Sequence, residues 1–304
     1  MRESLGRAPG YVFDNDSEHN DALHRCLTDA YDTMTFARLA ETGVTTGWRC
    51  LDIGSGSGTV ARWLAERVAP TGEVTATDLR PHLVQDGPCL TAVEHDVVTD
   101  PLPEAEFDLV VARLVLQHLP ERLAVLDKLV HALKPGGWLH IEEFDASYEP
   151  PLLTPDEESA RLYTAFLDAK CAVMRAGGGD PHWARKAPAA MRAAGLVDID
   201  PRPRIELRTP GSPGLRMQLN HTYHLRDGLL AAGMTETQLA DVRALMRDPS
   251  FCAASSVIYS VHGRRPRPGE RGGTFVPQPS ARDAGVLAFT AHSVVFTDED
   301  PDWV

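Results

Sequence analysis

The sequence predicts an α/β fold, in which helices cover both faces of a mostly parallel sheet. From residue 48 onward, short apolar runs alternate with amphipathic stretches, as expected for strands joined by crossover helices. The first run ends in a glycine-rich turn at residues 54–58. A Pro-Gly-Gly triplet at residues 135–137 separates a strong amphipathic helix from the fifth run. Strands of this kind are buried on both sides, which requires helices on both faces.

Seven strands are predicted along the chain, at residues 49–53, 73–78, 92–95, 108–114, 138–144, 196–207 and 255–262. Between them, apolar residues recur every three or four positions at 59–68 and 121–133, which indicates amphipathic helices.

Helical segments outside this alternation predict a cap. Residues 1–47 are expected to form an N-terminal lid of two helices, the second covering 35–41. Residues 48–264 form the core, and insertions at about 148–180 and 212–250 add helices to the cap. Residues 265–304 begin rich in Pro, Gly and Arg, which predicts a linker followed by a tail.

Composition limits the partners. A formal net charge of −13 disfavours nucleic acid, because an acidic surface repels phosphate backbones. The five cysteines are scattered without a CxxC pair, so neither a metal site nor a disulfide framework is expected. No apolar run is long enough for a signal peptide or a membrane span. These features predict a cytoplasmic protein without a membrane or nucleic-acid partner; a homodimer through the N-terminal or cap helices remains an alternative.

The glycine-rich turn indicates a nucleoside cofactor. In CLDIGSGSG, residues 50–58, a ligand can approach the backbone of Gly54, Ser55, Gly56 and Gly58, because a Cβ at the glycines would obstruct it. The GxGxG spacing differs from the GxGxxG of dinucleotide sites. Asp52 precedes the turn, and its carboxylate favours a cationic amino group and repels a pyrophosphate.

Two further aspartates follow the second and third predicted strands. Asp78 is placed to accept both hydroxyls of a ribose. Asp96 is placed to accept an adenine amine, with the Val97 amide donating to a ring nitrogen and Leu79 and Val97 forming apolar walls. The alternatives are a surface carboxylate at a strand end for Asp78 and a loop-capping aspartate for Asp96.

Four segments together resemble the class I S-adenosylmethionine-dependent methyltransferases of the small-molecule type. They lie within residues 48–145 and read, in order, LDIGSGSGT, TATDL, FDLVVARLVLQHL and LKPGGWLHIEE. The resemblance implies a Rossmann-like seven-stranded sheet whose last strand is antiparallel. It also implies S-adenosyl-L-methionine as cofactor and S-adenosyl-L-homocysteine as product.

The resemblance also implies roles for individual residues. Asp52 and the turn at 54–58 would hold the methionine portion, Asp78 the ribose, and Asp96 with Val97 the adenine. Arg113, after the fourth strand, would line the cofactor crevice.

Two residues are candidates for acid–base chemistry. Methyl transfer from a sulfonium depends mainly on alignment in a dry pocket, and a base is needed only where the acceptor loses a proton. His118 follows the fourth strand and Glu143 ends the fifth, so either is a candidate base. The alternatives are a histidine that only lines the pocket and a solvated or paired glutamate. Because strand residues alternate, Glu142 and Glu143 cannot both face the pocket.

The acceptor is expected to contact aromatic, apolar and histidine side chains of the cap, with ordinary core packing as the alternative for each. The candidates are Tyr11, Tyr31, Trp183, Met217, His221 and His224. The two histidines lack a carboxylate at matching spacing, which disfavours a metal site.

The leading hypothesis is methyl transfer to a small, natural-product-like acceptor in secondary metabolism. O-methylation is slightly favoured over N- or C-methylation because His118 is available as a base. The alternative on the same fold is a non-methylating, adenosylmethionine-binding enzyme of the cyclase or pericyclase type. A nicotinamide oxidoreductase and a non-catalytic binding module are the remaining readings.

Overall fold

The protein's structure, a computed structural model, describes residues 18–270, 285–289 and 292–296. Its strands are β1 (Arg49–Ile53), β2 (Glu73–Asp78), β3 (Leu90–Glu94), β4 (Phe107–Arg113), β5 (Leu133–Asp145), β6 (Pro151–Leu153), β7 (Val197–Arg204), β8 (Leu207–Arg208), β9 (Cys252–Ala254), β10 (Val257–Arg264), β11 (Gly285–Phe289) and β12 (His292–Phe296). Its helices are α1 (Glu18–Glu41), α2 (Thr59–Val68), α3 (Arg122–Ala132), α4 (Glu157–Ala176), α5 (Trp183–Ala193), α6 (Pro213–His224), α7 (Arg226–Ala231) and α8 (Glu236–Leu245).

The main sheet has seven strands in the order β3-β2-β1-β4-β5-β10-β7. Strands β1 to β5 pair in parallel, whereas β10 is antiparallel to both β5 and β7. The predicted fold, a mostly parallel seven-stranded sheet with an antiparallel last strand, is confirmed. Ile53 pairs with Thr77 on one side and Ala112 on the other, so the carboxyl ends of β1, β2 and β4 meet at one edge.

Alternating strand residues supply two separate cores. Leu109 and Val111 of β4 belong to a cluster with α2, while Val110 and Ala112 belong to a cluster with α3 and α5. This alternation follows from strand geometry, in which successive side chains point to opposite faces. Both faces are thereby buried, which explains why the central strands read as continuous apolar runs.

A third hydrophobic cluster joins the helices that lie outside the regular alternation. It contains buried residues from α1, α4, α6, α7 and α8, including Tyr31, Phe166 and Leu229. A small sheet in the order β6-β9-β8 accompanies these helices, and the sequence did not predict it. Its strands are two or three residues long, too short to show a periodic pattern.

The prediction of two N-terminal helices is wrong, because α1 is continuous from Glu18 to Glu41. Thr35, where the second helix was expected to begin, is buried within α1. Its hydroxyl lies 2.6 Å from Oε2 of Glu142, so its polar group is satisfied by the sheet without interrupting the helix. The helix ends before Gly43, whose φ of 80° suits a residue without a Cβ.

The chain divides into two compact units, Met1–Glu270 and Arg271–Val304. Within the second unit, β11 and β12 form an antiparallel pair. Across the described residues, none of the helices combines the length and apolar character that crossing a membrane requires.

Candidate functional site

A cavity opens where the carboxyl ends of β1, β2 and β4 meet. We call it the larger cavity; it holds about 1220 Å³ of empty space, its open mouth included. Nine of the ten residues predicted to bind the cofactor line it: Asp52, Gly54, Ser55, Gly56, Asp78, Leu79, Asp96, Val97 and Arg113. The sequence therefore predicted the position of this cavity and nine of the residues in its wall.

The glycine turn has the backbone conformation that its sequence suggests. Gly54 and Gly56 have φ of 64° and 51°, in the left-handed region that favours glycine. A Cβ on Gly54 would lie 2.6 Å from Cγ2 of Val115, and one on Gly56 would lie 2.8 Å from Cε1 of His24. A side chain at either position would be strained and would crowd a neighbour, so the backbone itself forms this part of the wall.

Gly58 does not line the cavity, which corrects its predicted role. It caps the start of α2 with φ of 74°, and a Cβ there would lie 2.8 Å from Cγ2 of Val84. Glycine is therefore needed at this position because the start of α2 packs closely, and not because a ligand contacts it.

Asp52 places a carboxylate in the wall of the larger cavity without a full set of partners. The residue is 2% exposed, and its Oδ2 has no hydrogen-bond partner among the described residues. Burial raises the pKa of this carboxyl group to about 7, and the nearby Arg113 guanidinium opposes that rise. A cation bound in the cavity would stabilise the ionised form.

Asp78 holds the glycine turn. Its Oδ2 accepts a hydrogen bond from the Gly56 amide at 3.0 Å, and its Oδ1 accepts one from the Arg80 amide at 3.1 Å. A carboxylate has about four acceptor positions, so capacity remains for two ribose hydroxyls.

Asp96 caps its own loop and also lines the larger cavity. Its Oδ1 accepts from the Val98 amide at 2.9 Å, which is the loop-capping bond, and the residue also lines the larger cavity. Val97 is buried beside it, and its carbonyl accepts from Nζ of Lys128 at 2.7 Å. Leu79, half exposed, also lines the cavity.

Arg113 connects the cavity wall to α1. Its Nη1 donates to Oδ1 of Asp32 at 2.7 Å and to the Thr35 hydroxyl at 3.1 Å. The Thr35 hydroxyl in turn donates to Oε2 of Glu142 at 2.6 Å. The guanidinium thus lines the crevice as predicted and also fastens α1 to β4 and β5.

A second cavity, the smaller cavity, adjoins the first and holds about 640 Å³ of empty space, its mouth included. Leu27, Leu114 and His118 line both cavities. Leu114 has φ of 58°, unusual for a leucine, at the point where β4 ends between them. The arrangement gives two adjoining chambers, one beside the glycine turn and one beneath α1 and α6.

His118 lies on a 3-10 turn, Leu116–His118, at the boundary between the two chambers. It is buried, and desolvation lowers the pKa of its imidazole to about 4. Its Nε2 is 3.0 Å from Nε2 of Gln117. The imidazole is therefore neutral at physiological pH.

Comparison with known families identifies the core. Residues 51–141 match the family model described as a methyltransferase domain. Over this segment the chain resembles a methyltransferase domain. The matched segment runs from β1 into β5 and includes the glycine turn, Asp78, Asp96 and His118.

Curated relatives share this methyltransferase domain. The ubiquinone/menaquinone biosynthesis C-methyltransferase UbiE of Laribacter hongkongensis is 34% identical over 120 residues, which cover 37% of this chain and 49% of that protein. Methyltransferase str2 of Strobilurus tenacellus is 33% identical over 139 residues, covering 45% of this chain and 49% of that protein. The chain thus spans about half the length of these relatives.

A solved structure shows the same fold. The Haemonchus contortus phosphoethanolamine N-methyltransferase 2, in complex with phosphomonomethylethanolamine and S-adenosylhomocysteine, has a TM-score of 0.52 at 18% identity. The match covers 86% of this chain and 61% of that chain.

Glu143, predicted as a candidate base, lines neither cavity of the methyltransferase domain. It is fully buried, and its Oε1 accepts from the Leu116 amide at 2.8 Å. Burial raises the pKa of this carboxyl group to about 8. Glu143 therefore supports the turn that carries His118. Glu142 is also buried outside the cavities, where it binds Thr35, so neither glutamate lines a cavity.

The residues predicted to contact the acceptor divide into two groups. Met217 and His221 line the smaller cavity. Tyr31, Trp183 and His224 line neither cavity in the described part of the chain.

Their positions explain why they do not line the cavities. The ring of Tyr31 packs edge-on against Phe144, with 5.3 Å between centroids. Trp183 lies in the core between α5 and the sheet, because it shares a helix face with Ala187 and Met191. His224 ends α6. Tyr11 lies outside the described residues.

Sequence reasoning missed the polar wall of the smaller cavity. Glu149, Lys170 and Arg208 meet there from three distant segments, together with Gln218 and Ser256. Lys170 did carry a signal, because it stands on the apolar face of α4 between Phe166 and Met174. The other members have no local pattern that would bring them together.

A separate group of possible metal ligands lies outside both cavities. Ligand atoms of Glu41, Asp200 and His262 are within 4.8 Å of one another. Nη1 of Arg38 lies 2.5 Å from Oε2 of Glu41 and 3.1 Å from Oδ2 of Asp200. A guanidinium thus already supplies the positive charge at this cluster.

Proposed function

We propose that the protein transfers a methyl group from S-adenosyl-L-methionine to a small-molecule acceptor. The observation that carries the proposal is the pair of adjoining cavities that share Leu27, Leu114 and His118. A methyl donor in the larger cavity and an acceptor in the smaller one would meet at this shared wall. Such alignment is the main requirement for in-line displacement.

The larger cavity suits the donor. The ionised Asp52 carboxylate would pair with the amino group of the methionine portion, beside the backbone of the glycine turn. Asp78 would accept the ribose hydroxyls, and Asp96 with Val97 would bind the adenine. When bound, the cofactor supplies a methyl group already activated as a sulfonium.

The smaller cavity suits a compact organic acceptor, and we propose that α1 and the helices within 148–180 and 212–250 form its cap. His118 is neutral and lies at the shared wall, where it can take a proton from a hydroxyl. O-methylation is therefore our first choice. The relatives' names describe C-methylation for UbiE and N-methylation for the Haemonchus enzyme, so they favour no single acceptor atom.

Calorimetric titration with S-adenosylhomocysteine tests the cofactor assignment, with NADH as the competing ligand. We expect micromolar binding of S-adenosylhomocysteine and none of NADH. Replacing Asp78 with Ala should weaken binding by roughly 1.5–3 kcal/mol, as for a hydrogen bond to a charged group. Asp86→Ala is the matched control, because Asp86 is exposed and follows the same strand outside the larger cavity. Binding of NADH in preference to S-adenosylhomocysteine would refute the assignment.

Product mass tests the reaction. Incubation with S-adenosylmethionine and a library of small hydroxylated, aminated and enolic acceptors should give products that gain one methyl group. A product of unchanged mass would point instead to a cyclase or pericyclase. Binding of S-adenosylmethionine without turnover on any acceptor would indicate a non-catalytic binding module.

A further inference from the structure

A buried group of charged side chains forms one wall of the smaller cavity. Lys170 and Arg208 are 5% and 1% exposed, and Glu149 between them is 3% exposed. Nζ of Lys170 donates to Oε1 of Glu149 at 2.8 Å, and Nη1 of Arg208 donates to Oε2 at 3.0 Å. Gln218 and Ser256 also donate to this carboxylate. One carboxylate therefore serves two cations.

The surrounding titratable groups do not balance the second cation. The pKa of His221 is well below its ordinary value, because of burial and the two cations, so its imidazole is neutral. Burial raises the pKa of Tyr163 to about 12 and also raises that of Tyr31, so both phenols are neutral. Glu206, which also faces Tyr31, is paired with Arg204 at 2.9 Å. Burial lowers the pKa of Lys170, and the Glu149 carboxylate opposes that change. With both cations protonated and Glu149 ionised, the wall carries a net charge of +1.

An unbalanced buried charge is costly, and proteins compensate it with a counter-ion or with water. Nε of Arg208 is buried and has no hydrogen-bond partner among the described residues. Lys170, by contrast, makes three hydrogen bonds, to both oxygens of Glu149 and to Oε1 of Gln218. The missing negative charge therefore belongs beside Arg208, which lines the smaller cavity.

We propose that the acceptor carries a carboxylate that binds at Arg208, and this proposal rests on the proposed methyltransferase function. The remaining wall is mainly apolar, with Leu23, Phe144 and Met217 among its residues. The substrate class is thus a small organic acid with an apolar body. With its carboxylate at the charged wall, the opposite end of the molecule faces His118 and the larger cavity.

Matched pairs of probes test this substrate class. 4-Hydroxybenzoate is compared with 4-hydroxybenzamide, and cinnamate with cinnamamide, by calorimetry with and without saturating S-adenosylhomocysteine. We expect each carboxylate to bind at least about 10-fold more tightly than its amide, as for a charge-assisted hydrogen bond. Equal affinities within the pairs, or no binding by any probe, would overturn the proposal.

Three variants separate charge recognition from folding. Arg208→Gln should abolish the preference, whereas Glu149→Gln, which raises the wall's net positive charge, should keep or increase it. Arg216→Gln on α6 is the control, because this arginine is half exposed and pairs with Asp29. A preference that survives in Arg208→Gln contradicts the proposal.

A crystal structure with 4-bromobenzoate provides a test that needs no variant. The bromine's anomalous signal should lie in the smaller cavity, with the carboxylate at Arg208; a carboxylate bound elsewhere would also overturn the proposal.

The calorimetric titrations with S-adenosylhomocysteine and with the probes separate the two proposals. Failure of S-adenosylhomocysteine to bind counts against the methyltransferase function, whereas equal probe affinities in a protein that binds it count only against the organic-acid acceptor.

Discussion

Nη1 of Arg113 lies 2.7 Å from Oδ1 of Asp32, and this ion pair fastens α1 to the end of β4. Both side chains are largely shielded, at 15% and 14% exposure, so solvent screens the pair only weakly. Because α1 supplies His24, Leu27 and Thr28 to the larger cavity, the pair also fixes part of the proposed cofactor site.

We expect Asp32→Asn to lower the free energy of unfolding by about 1–3 kcal/mol, because it weakens a shielded charge-assisted bond to Arg113. Asp29→Asn on the same helix is the control. Asp29 is 54% exposed and pairs with Arg216, so its loss should cost less than about 0.5 kcal/mol. Urea denaturation of both variants gives the two losses of unfolding free energy. Equal losses would show that the shielded pair stabilises the fold no more than the exposed pair does.

Gly54→Ala should abolish cofactor binding through local geometry. Gly54 and Gly43 both have positive φ, so alanine at either position costs about 1–2 kcal/mol of stability. Gly54 lines the larger cavity, and a Cβ there would clash with Val115. At Gly43, by contrast, no atom lies within 4 Å of an added Cβ. Calorimetry with S-adenosylhomocysteine should therefore show lost affinity in Gly54→Ala and unchanged affinity in Gly43→Ala. Similar affinities in the two variants would contradict the assigned site.

Cofactor affinity should fall as the pH drops through 7. The folded-state pKa of Asp52 is raised to about 7, and a bound amino group favours the ionised carboxylate. Binding below pH 7 must therefore release a proton. We expect about fivefold weaker binding at pH 6 than at pH 7, and about tenfold per unit below that. The ligand's amino group stays protonated in this range.

Titrations of S-adenosylhomocysteine from pH 5.5 to 7 check this dependence. Asp52→Asn should bind more weakly at pH 7 and lose most of the pH dependence, while Asp86→Asn keeps it. A wild-type affinity that is flat over this range would exclude Asp52 as the partner of the amino group.

His118 and Glu143 should behave differently in turnover. For a hydroxyl acceptor, His118→Asn should lower kcat by about 10²–10⁴-fold, as for a lost general base. Glu143→Gln keeps an oxygen acceptor for the Leu116 amide, so kcat should stay within a few-fold of wild type.

The pKa of His118 is lowered to about 4, so its imidazole is neutral above about pH 5. The acid limb of kcat from this group should lie near pH 4 at saturating cofactor, and a limb near 6.5 would argue against the buried geometry.

The regular core was predictable because its signals are local. The predicted bounds of β1, α2 and β2 agree with the structure, since each element has its own period and a glycine or a turn at its end. Asp52 and Asp78 were found for the same reason: parallel strands bring their carboxyl ends to one edge, so residues that end strands meet there.

The acceptor side was less predictable because it depends on contacts between distant segments. Glu149, Lys170 and Arg208 are brought together by packing of α4, β8 and the loop after β5, which no periodicity encodes. Trp183 was misplaced because an aromatic residue on an amphipathic helix packs on the sheet as readily as in a pocket. Glu143 was misplaced because alternation fixes which face a strand residue takes, and both faces of β5 are buried.

The wall shared by the two cavities has a thermodynamic consequence. Leu27, Leu114 and His118 contact whatever occupies either chamber, so a ligand that repositions them in one chamber changes the binding free energy in the other. Such coupling is reciprocal: if the donor raises the affinity for the acceptor by some factor, the acceptor raises the affinity for the donor by the same factor. The spent donor, which lacks the transferred methyl, would leave a gap at this wall, and its coupling to the methylated product would set how readily the two depart.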